Sequence, residues 1–262
     1  MKPLAAMPDA VRRGIRGVLA DIDDTITTHG RLLPEAYAAL ARLKAAGKRV
    51  VPITGRPAGW CDHIARMWPV DAVVGENGAC CMRYDERAHK LVKRYMVDDE
   101  TRAEQRRRLH AIGQKILAAV PGAALASDQH YRESDLAIDF CEDVAPLPRA
   151  AVDLIVSLMQ EDGMTAKVSS IHVNGWFGTY DKLTMTRMLF DEALGEDLDV
   201  ERAHYVFAGD SPNDAPMFAY FPNAVGVANV APFLDRIATP PAYVTTCEAG
   251  AGFVELADFL LK

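Results

Sequence analysis

Nothing in the chain spells a disulfide framework or a zinc knuckle. Its five cysteines, Cys61, Cys80, Cys81, Cys141 and Cys247, are odd in number and form no CxxC pair, so they read as reduced cytosolic thiols. Long apolar runs are missing too: no stretch is long enough to span a bilayer. Met1 to Arg16, interrupted by Pro3 and Pro8, lacks the apolar centre of a signal peptide. These absences imply a cytoplasmic protein with no membrane partner. Positive charge is in deficit, 29 Lys+Arg against 36 Asp+Glu for a net charge of -7. That excludes a broad nucleic-acid or anionic-lipid surface, although a cleft of opposite local sign can still hold a small phosphorylated metabolite. With 50% of its 262 residues hydrophobic and 25% charged, the chain can bury a large core.

The order of apolar segments predicts the fold. Val18 to Ala20 reads as a strand, and Pro34 to Gly47 as a helix with proline in its first turn and glycine at its end. Arg49 to Ile53 is a second strand, followed by a helix to about Trp68, and Asp71 to Val74 is a third strand closing on Gly75-Glu-Asn-Gly78. Strand and helix alternating over short links predict a parallel, helix-covered sheet.

After Ala79 the rhythm changes. Cys80 to Tyr84 and Leu91 to Met96 read as paired strands, and Asp99 to Val120 as a charged helix. Leu136, Ile138 and Phe140 alternate with polar or small residues, which predicts a strand with one wet face. A helix over Pro148 to Gln160 and a strand over Thr165 to Val173 follow. From Asp181 the first rhythm resumes, with a helix to about Leu194, a strand over His204 to Ala208, short strands near Asn223 to Val227 and Ala242 to Thr245, and a closing helix. The expected architecture is α/β: a doubly wound, Rossmann-like three-layer core of residues 1–80 and 181–262, with an inserted α+β cap over 81–180.

Chemistry concentrates at strand ends. Val18-Leu-Ala-Asp21-Ile-Asp23-Asp24-Thr25 places three carboxylates in four positions directly after an apolar strand. Such a cluster is costly without a cation, and ligands of parallel sheets bind at the carboxyl ends of strands. It is either a metal-bound carboxylate centre or an acidic loop capping the next helix. Thr54-Gly55-Arg56, Lys182, and Asp210 with Asn213 and Asp214 fall at comparable places. Together these segments hold what phosphoryl transfer needs. Asp21 can attack as an ionised carboxylate, and Asp23 can move a proton. Lys182 offers positive charge, and Thr54 a hydroxyl beside the permissive Gly55. Asp210 is a hard oxygen ligand suited to magnesium.

Asp-Ile-Asp-Asp-Thr, Ile-Thr-Gly-Arg-Pro, a lone Lys182 before a helix, and Gly-Asp-Ser-Pro-Asn-Asp, in this order, resemble the four motifs of the haloacid dehalogenase-like (HAD) hydrolase superfamily. The insert between the second and third motifs, with Gly75 to Ala79, resembles the Cof-like, type IIB branch and its C2B cap, near sucrose-phosphate, mannosyl-3-phosphoglycerate and phosphoglycolate phosphatases. The resemblance implies a phosphatase in which Asp21 forms an aspartyl-phosphate and Asp23 protonates the leaving alcohol and then activates water. It implies that Thr54, Gly55, Arg56, Lys182 and Asn213 hold the phosphoryl group. Magnesium would sit on Asp21, the carbonyl of Asp23, and Asp210, with Asp214 in support. Asp24 stands where relatives often have glycine and is expected to cap a turn. An acid at Asp23 fits phosphate esters, since halide leaves without a proton. A phosphomutase of the phosphomannomutase type, and a non-catalytic phosphometabolite-binding protein, remain alternatives.

Other features are read more plainly. Arg102 to Arg108 is expected to be the solvated face of a cap helix, the histidines to be surface or core residues, and Cys80-Cys81 to be buried as small hydrophobes. Asn174 or Trp176 could wall the substrate, with Trp176 as hinge packing the equal alternative. His130, Arg132 and Glu133 are candidate grips on the leaving group.

Overall fold

The computed structural model describes residues 1–169 and 171–262; Ser170, within the strand expected over Thr165 to Val173, lies outside them. Strands β1 (Lys2–Pro3), β2 (Gly17–Ala20), β3 (Arg49–Pro52), β4 (Val73–Gly75), β11 (Tyr205–Gly209), β12 (Val225–Gly226) and β13 (Tyr243–Val244) build the core, and β5 (Cys80–Asp85), β6 (Lys90–Tyr95), β7 (Ala124–Leu125), β8 (Asp135–Asp139), β9 (Thr165–Val168) and β10 (His172–Trp176) lie between its two halves. The helices are α1 (Asp9–Gly14), α2 (Pro34–Ala45), α3 (Ala58–Met67), α4 (Asp99–Ala119), α5 (Arg149–Glu161), α6 (Lys182–Leu189), α7 (Leu198–Glu201), α8 (Ala215–Tyr220) and α9 (Ala249–Leu260).

The core sheet is parallel in the order β1-β13-β12-β11-β2-β3, and a parallel bridge from Ile53 to Val74 adds β4 at the far edge. From β2 the chain winds outward to β3 and β4, then returns beside β2 as β11 and winds the other way. The winding therefore reverses between β2 and β11, and a crevice forms outside the carboxyl ends of those two strands. Asp21 follows β2 and Asp210 follows β11, so topology alone sets these carboxylates side by side.

Alternation along each strand sends residues to two layers. Val18, Ala20, Val206 and Ala208 pack with Leu40 and Leu43 of α2 and with Phe253 and Leu256 of α9. Leu19, Val51, Phe207 and Ile53 pack on the opposite side with Met185 and Leu189 of α6 and with Met217 and Phe218 of α8. The three-layer, doubly wound expectation holds. The two-residue strands β12 and β13 are shorter than expected, and 228–236 forms a 3-10 segment containing Pro232. Beyond α6 the expected helix continues to Leu194 only as a π turn.

The inserted region divides differently from its sequence pattern. The β5–β6 hairpin extends from β4 in an antiparallel three-stranded sheet, and Cys80, Met82 and Leu91 pack in the core layer with Cys61 and Ile64 of α3. The expected segment 81–180 thus includes most of a hairpin that packs with the core. Cys80 and Cys81 are buried and unbridged, and alternation sends them to opposite layers. The second sheet, β7-β8-β10-β9, is antiparallel. Leu136, Ile138 and Val173 point at Leu109, Ile112 and Ile116 of α4 and at Ile155 and Met159 of α5. The other face of β8 was expected to be wet. Instead Asp135 and Asp139 are buried, because the polar side of this sheet closes over the core crevice.

The Glu76-Asn77-Gly78 turn seats the two parts together. Glu76 and Asn77 adopt left-handed φ values of 46° and 53°, and Gly78 has φ 105°. A Cβ on Gly78 would lie 2.1 Å from the carbonyl oxygen of Asp181, next to Lys182. Gly78→Ala is therefore expected to destabilise the protein by about 2–4 kcal/mol, combining left-handed strain with a backbone clash. Chemical denaturation of both proteins checks this, and an unchanged midpoint would show that the turn relaxes freely.

Candidate active site

The centre of the crevice is a buried ammonium between two buried carboxylates. Lys182 Nζ donates to Asp21 Oδ1 at 2.6 Å and to Asp214 Oδ1 at 2.8 Å. Asp181 starts α6 by accepting from the Thr184 backbone at 2.8 Å, which aims Lys182, the first helical residue, at the sheet. Burial pushes the ammonium toward neutrality, but the charges of Asp21 and Asp214 more than compensate, and Lys182 stays above the ordinary lysine range.

Carboxylate oxygens of Asp21, Asp210 and Asp214 lie within 4.8 Å of one another. Burial pushes the Asp21 carboxyl up to about 8, with Lys182 opposing and Asp214 and Asp23 adding to the rise. Asp210 is pushed well above the usual carboxylate range, first by burial and then by the charges of Asp21 and Asp214. Asp214 is committed elsewhere, since its second oxygen accepts from the backbones of Asp210 at 3.1 Å and Ser211 at 3.3 Å. This capping box closes the Pro212–Asp214 turn. Asp21 and Asp210 are therefore the carboxylates available to a hard divalent cation, whose charge would offset their mutual repulsion. The donor set fits such an ion.

Thr54, Gly55 and Arg56 lie at the end of β3. Thr54 is fully buried, and its hydroxyl oxygen accepts from the Arg56 backbone at 2.9 Å, which leaves its O–H to donate. No direct bond joins it to Asp21 among the described residues. Asn213 Oδ1 accepts from the Ser211 hydroxyl at 2.6 Å. Arg56, the other expected phosphate contact, meets carboxylates here. Its guanidinium is engaged by carboxylates of Asp23, Asp128 and Glu142. Asp24 has φ 53° and its carbonyl accepts from Asn229 Nδ2 at 2.9 Å.

The polar face of the second sheet supplies the roof. A small cavity is walled by Asp21, Asp23, Gly55 and Arg56 below and by Arg132, His172 and Asn174 above. The two parts are tightly closed. Arg132 Nη1 donates to the Gly55 carbonyl at 2.9 Å while the same side chain pairs with Asp128 and Asp135. Of the candidate grips only Arg132 reaches the cavity; His130 is exposed, and Glu133 pairs with Arg106. Asn174 lines the cavity, bonded to Asp135 at 3.0 Å. Trp176 resolves to the hinge, donating to the Tyr180 carbonyl at 3.2 Å and stacking on that ring. Along the arginine run, Arg107 is exposed, whereas Arg102 and Arg108 lie 3.9 Å over Tyr95 and Phe177.

Sequence reasoning missed Glu76, Asn229, His172 and Glu142. Asn229 Nδ2 reaches Asp210 Oδ2 at 3.3 Å. His172, grouped with surface or core histidines, lines the cavity; its spacing of two from Asn174 in a strand was the available signal. Fully buried Glu76 accepts from Ala58, Glu133 and Ser134 backbones at 2.8, 2.8 and 2.6 Å, stitching core to roof.

Comparison with known proteins fits this geometry. Residues 18–106 match the family model of haloacid dehalogenase-like hydrolases. Solved structures superpose along most of the chain. A Thermoplasma acidophilum protein gives a TM-score of 0.71 at 18% identity, covering 95% of this chain and 99% of its own. The chain shares its fold with these structures, and residues 18–106 carry the haloacid dehalogenase-like match. The sucrose-phosphatase of Synechocystis, solved with sucrose and phosphate, gives 0.63 at 16% identity over 94% of this chain and 98% of that one. A trehalose-6-phosphate phosphatase related protein gives 0.63 at 13% identity over 93% and 96%. No curated protein matches the sequence.

Burial and the Asp135 charge push the Glu76 carboxyl from 4.5 up to about 7, against the lowering effect of its backbone donors and Arg132. A carboxyl raised in the folded state binds protons the unfolded chain releases, so its stabilisation is complete below 4.5 and is lost as pH rises through about 7. Across that window wild type should lose up to roughly 3 kcal/mol relative to Glu76→Gln. Urea denaturation of both at several pH values checks this, and parallel stability profiles would contradict it.

Proposed function

We propose that this protein is a magnesium-dependent phosphatase of a small phosphomonoester, such as a sugar phosphate or a phosphoglycolate-like acid, acting through an aspartyl-phosphate. The observation that carries this reading is Lys182 bridging Asp21 and Asp214 at the switch point of the sheet, with Asp210 in the same cluster. The hydrolase family match and phosphatase structural neighbours agree with it.

In this reading Asp21 and Asp210, with the carbonyl of Asp23, would hold magnesium, whose charge would offset the repulsion between the phosphoryl group and the attacking carboxylate. A free oxygen of Asp21 attacks phosphorus. The P–O ester bond breaks, and the departing oxygen takes a proton from Asp23. Asp23, now a carboxylate, removes a proton from water as it attacks the phospho-aspartyl group, which releases phosphate and restores Asp21. Lys182 neutralises the equatorial oxygens, while the Thr54 hydroxyl and the Gly55 backbone are placed to donate to them. Asn213 and Asp214 keep the 210–214 turn in register.

The roof excludes water and selects the substrate. With Arg132 on the Gly55 carbonyl and Arg56 on roof carboxylates, a phosphorylated guest would enter as the roof lifts. Among the described residues no spare cation supports a second phosphate site at the cavity, because Arg132 and Arg56 are both held by carboxylates. That favours hydrolysis over the phosphomutase reading. Retention of Asp21, Asp23, Lys182 and Asp210 together favours catalysis over simple binding.

Purified protein with magnesium should hydrolyse p-nitrophenyl phosphate, and Asp21→Asn should lower kcat by more than about 10³-fold. Chelation of the metal should abolish turnover and readdition should restore it. Equal inertness of wild type and variant across a panel of phosphate esters would overturn the reading. Conversion of hexose 1-phosphate to its isomer without phosphate release would establish the mutase instead.

A further inference from the structure

The strongest unexplained feature is the company kept by Arg56. Its Nε donates to both oxygens of Asp23, at 3.0 and 3.1 Å. Its Nη2 donates to Glu142 at 3.1 Å, and Nη1 to Asp128 at 3.4 Å. The guanidinium also lies 4.6 Å over Trp60. Asp23, Arg56 and Trp60 belong to the core, whereas Asp128 and Glu142 belong to the roof. Core and roof therefore share one planar, five-donor group, whose fork fixes the direction of each bond it makes.

Glu142 is itself held in place. Asp139, at the end of β8, accepts from the backbones of Cys141, Glu142 and Asp143 at 2.9, 2.8 and 2.8 Å, which shapes the turn that carries Glu142. The second carboxylate oxygen of Glu142 lies 2.8 Å from His172 Nε2 on β10. The nearby His172 ring holds the carboxyl down at about 2, with Arg56 helping against burial. Glu142 is thereby favoured as an ionised acceptor for Arg56.

We propose that Glu142 is a positioning residue that carries roof closure to the chemistry: by fixing Arg56 it fixes Asp23 in the orientation from which the leaving-group proton is delivered. With the roof lifted, Arg56 loses Glu142 and Asp128 together, and Asp23 loses the brace that sets its angle. The leaving-group acid is thus assembled only when the substrate is enclosed. This rests on the reading of Asp23 as that acid.

The test separates bond breaking that needs a proton from bond breaking that does not. p-Nitrophenolate departs unprotonated, whereas the alcohol of glycerol 2-phosphate leaves with a proton from Asp23. Positioned acids contribute 10²–10⁴-fold, and a mispositioned one loses part of this. Glu142→Ala should therefore lower kcat/KM for glycerol 2-phosphate by about tenfold while leaving that for p-nitrophenyl phosphate nearly unchanged. Glu142→Gln, which keeps an oxygen toward Arg56, should recover most of the loss. Equal losses on both substrates, or no loss on either, would overturn the proposal. If Glu142→Ala does not fold, a Glu142→Gln protein lacking even a partial loss selective for the alkyl ester overturns it as well.

Asp23→Asn separates this from failure of the underlying reading. Followed as the first-turnover burst, it should retain p-nitrophenolate release and lose glycerol release. If it spares both, Asp23 is not the acid and the relay falls with it. If it shows the selective loss and Glu142→Ala does not, the relay alone is wrong.

Discussion

An ammonium buried between two carboxylates is the constraint around which this molecule is arranged. Lys182 begins α6, Asp21 follows β2 and Asp214 closes the turn after β11. Removing any one partner leaves an uncompensated buried charge, which costs several kcal/mol. The triad therefore demands that the two halves of the core, separated by the whole inserted region, meet with sub-ångström accuracy. The parallel sheet meets that demand, because its winding reverses between β2 and β11 and brings their ends together.

The same need for compensation explains the closure of the roof. Glu76, Asp128, Asp135 and Arg132 are all buried, and each is stabilised by a partner across or along the seam. Glu76 receives roof backbone amides, Arg132 reaches the Gly55 carbonyl, and Arg56 reaches roof carboxylates. Such a polar seam is strong only when complete. It also explains why the polar face of β8 is dry in the closed form although its alternation resembles that of a surface strand.

Much of this was legible in the sequence. The strand–helix rhythm gave the three-layer core, since apolar periodicity and short links leave few topologies open. Asp21, Lys182, Asp210 and Asp214 stood out because carboxylates and a lysine after apolar strands need one another. Arg56 was visible as a cation, but nothing local says that its partners include Asp128 and Glu142. The β5–β6 hairpin was assigned to the insert because its pattern changes there, while its apolar face is claimed by α3. His172 was invisible as a site residue, because a lone histidine in a strand acquires meaning only from what faces it.

The linear chain determined the parts: the α/β class, the acidic turn after the first core strand, the Thr-Gly-Arg loop and the lysine that opens α6. Local chemistry sufficed for these, because propensity, periodicity and charge clustering act over a few residues. The tertiary structure alone decided which face of the roof looks inward, that Glu76 ties the seam, and that Arg56 serves Asp23 and Glu142 together. Those outcomes depend on pairings between residues such as Arg56 and Glu142, 86 positions apart, and no short-range rule records how distant segments turn toward each other.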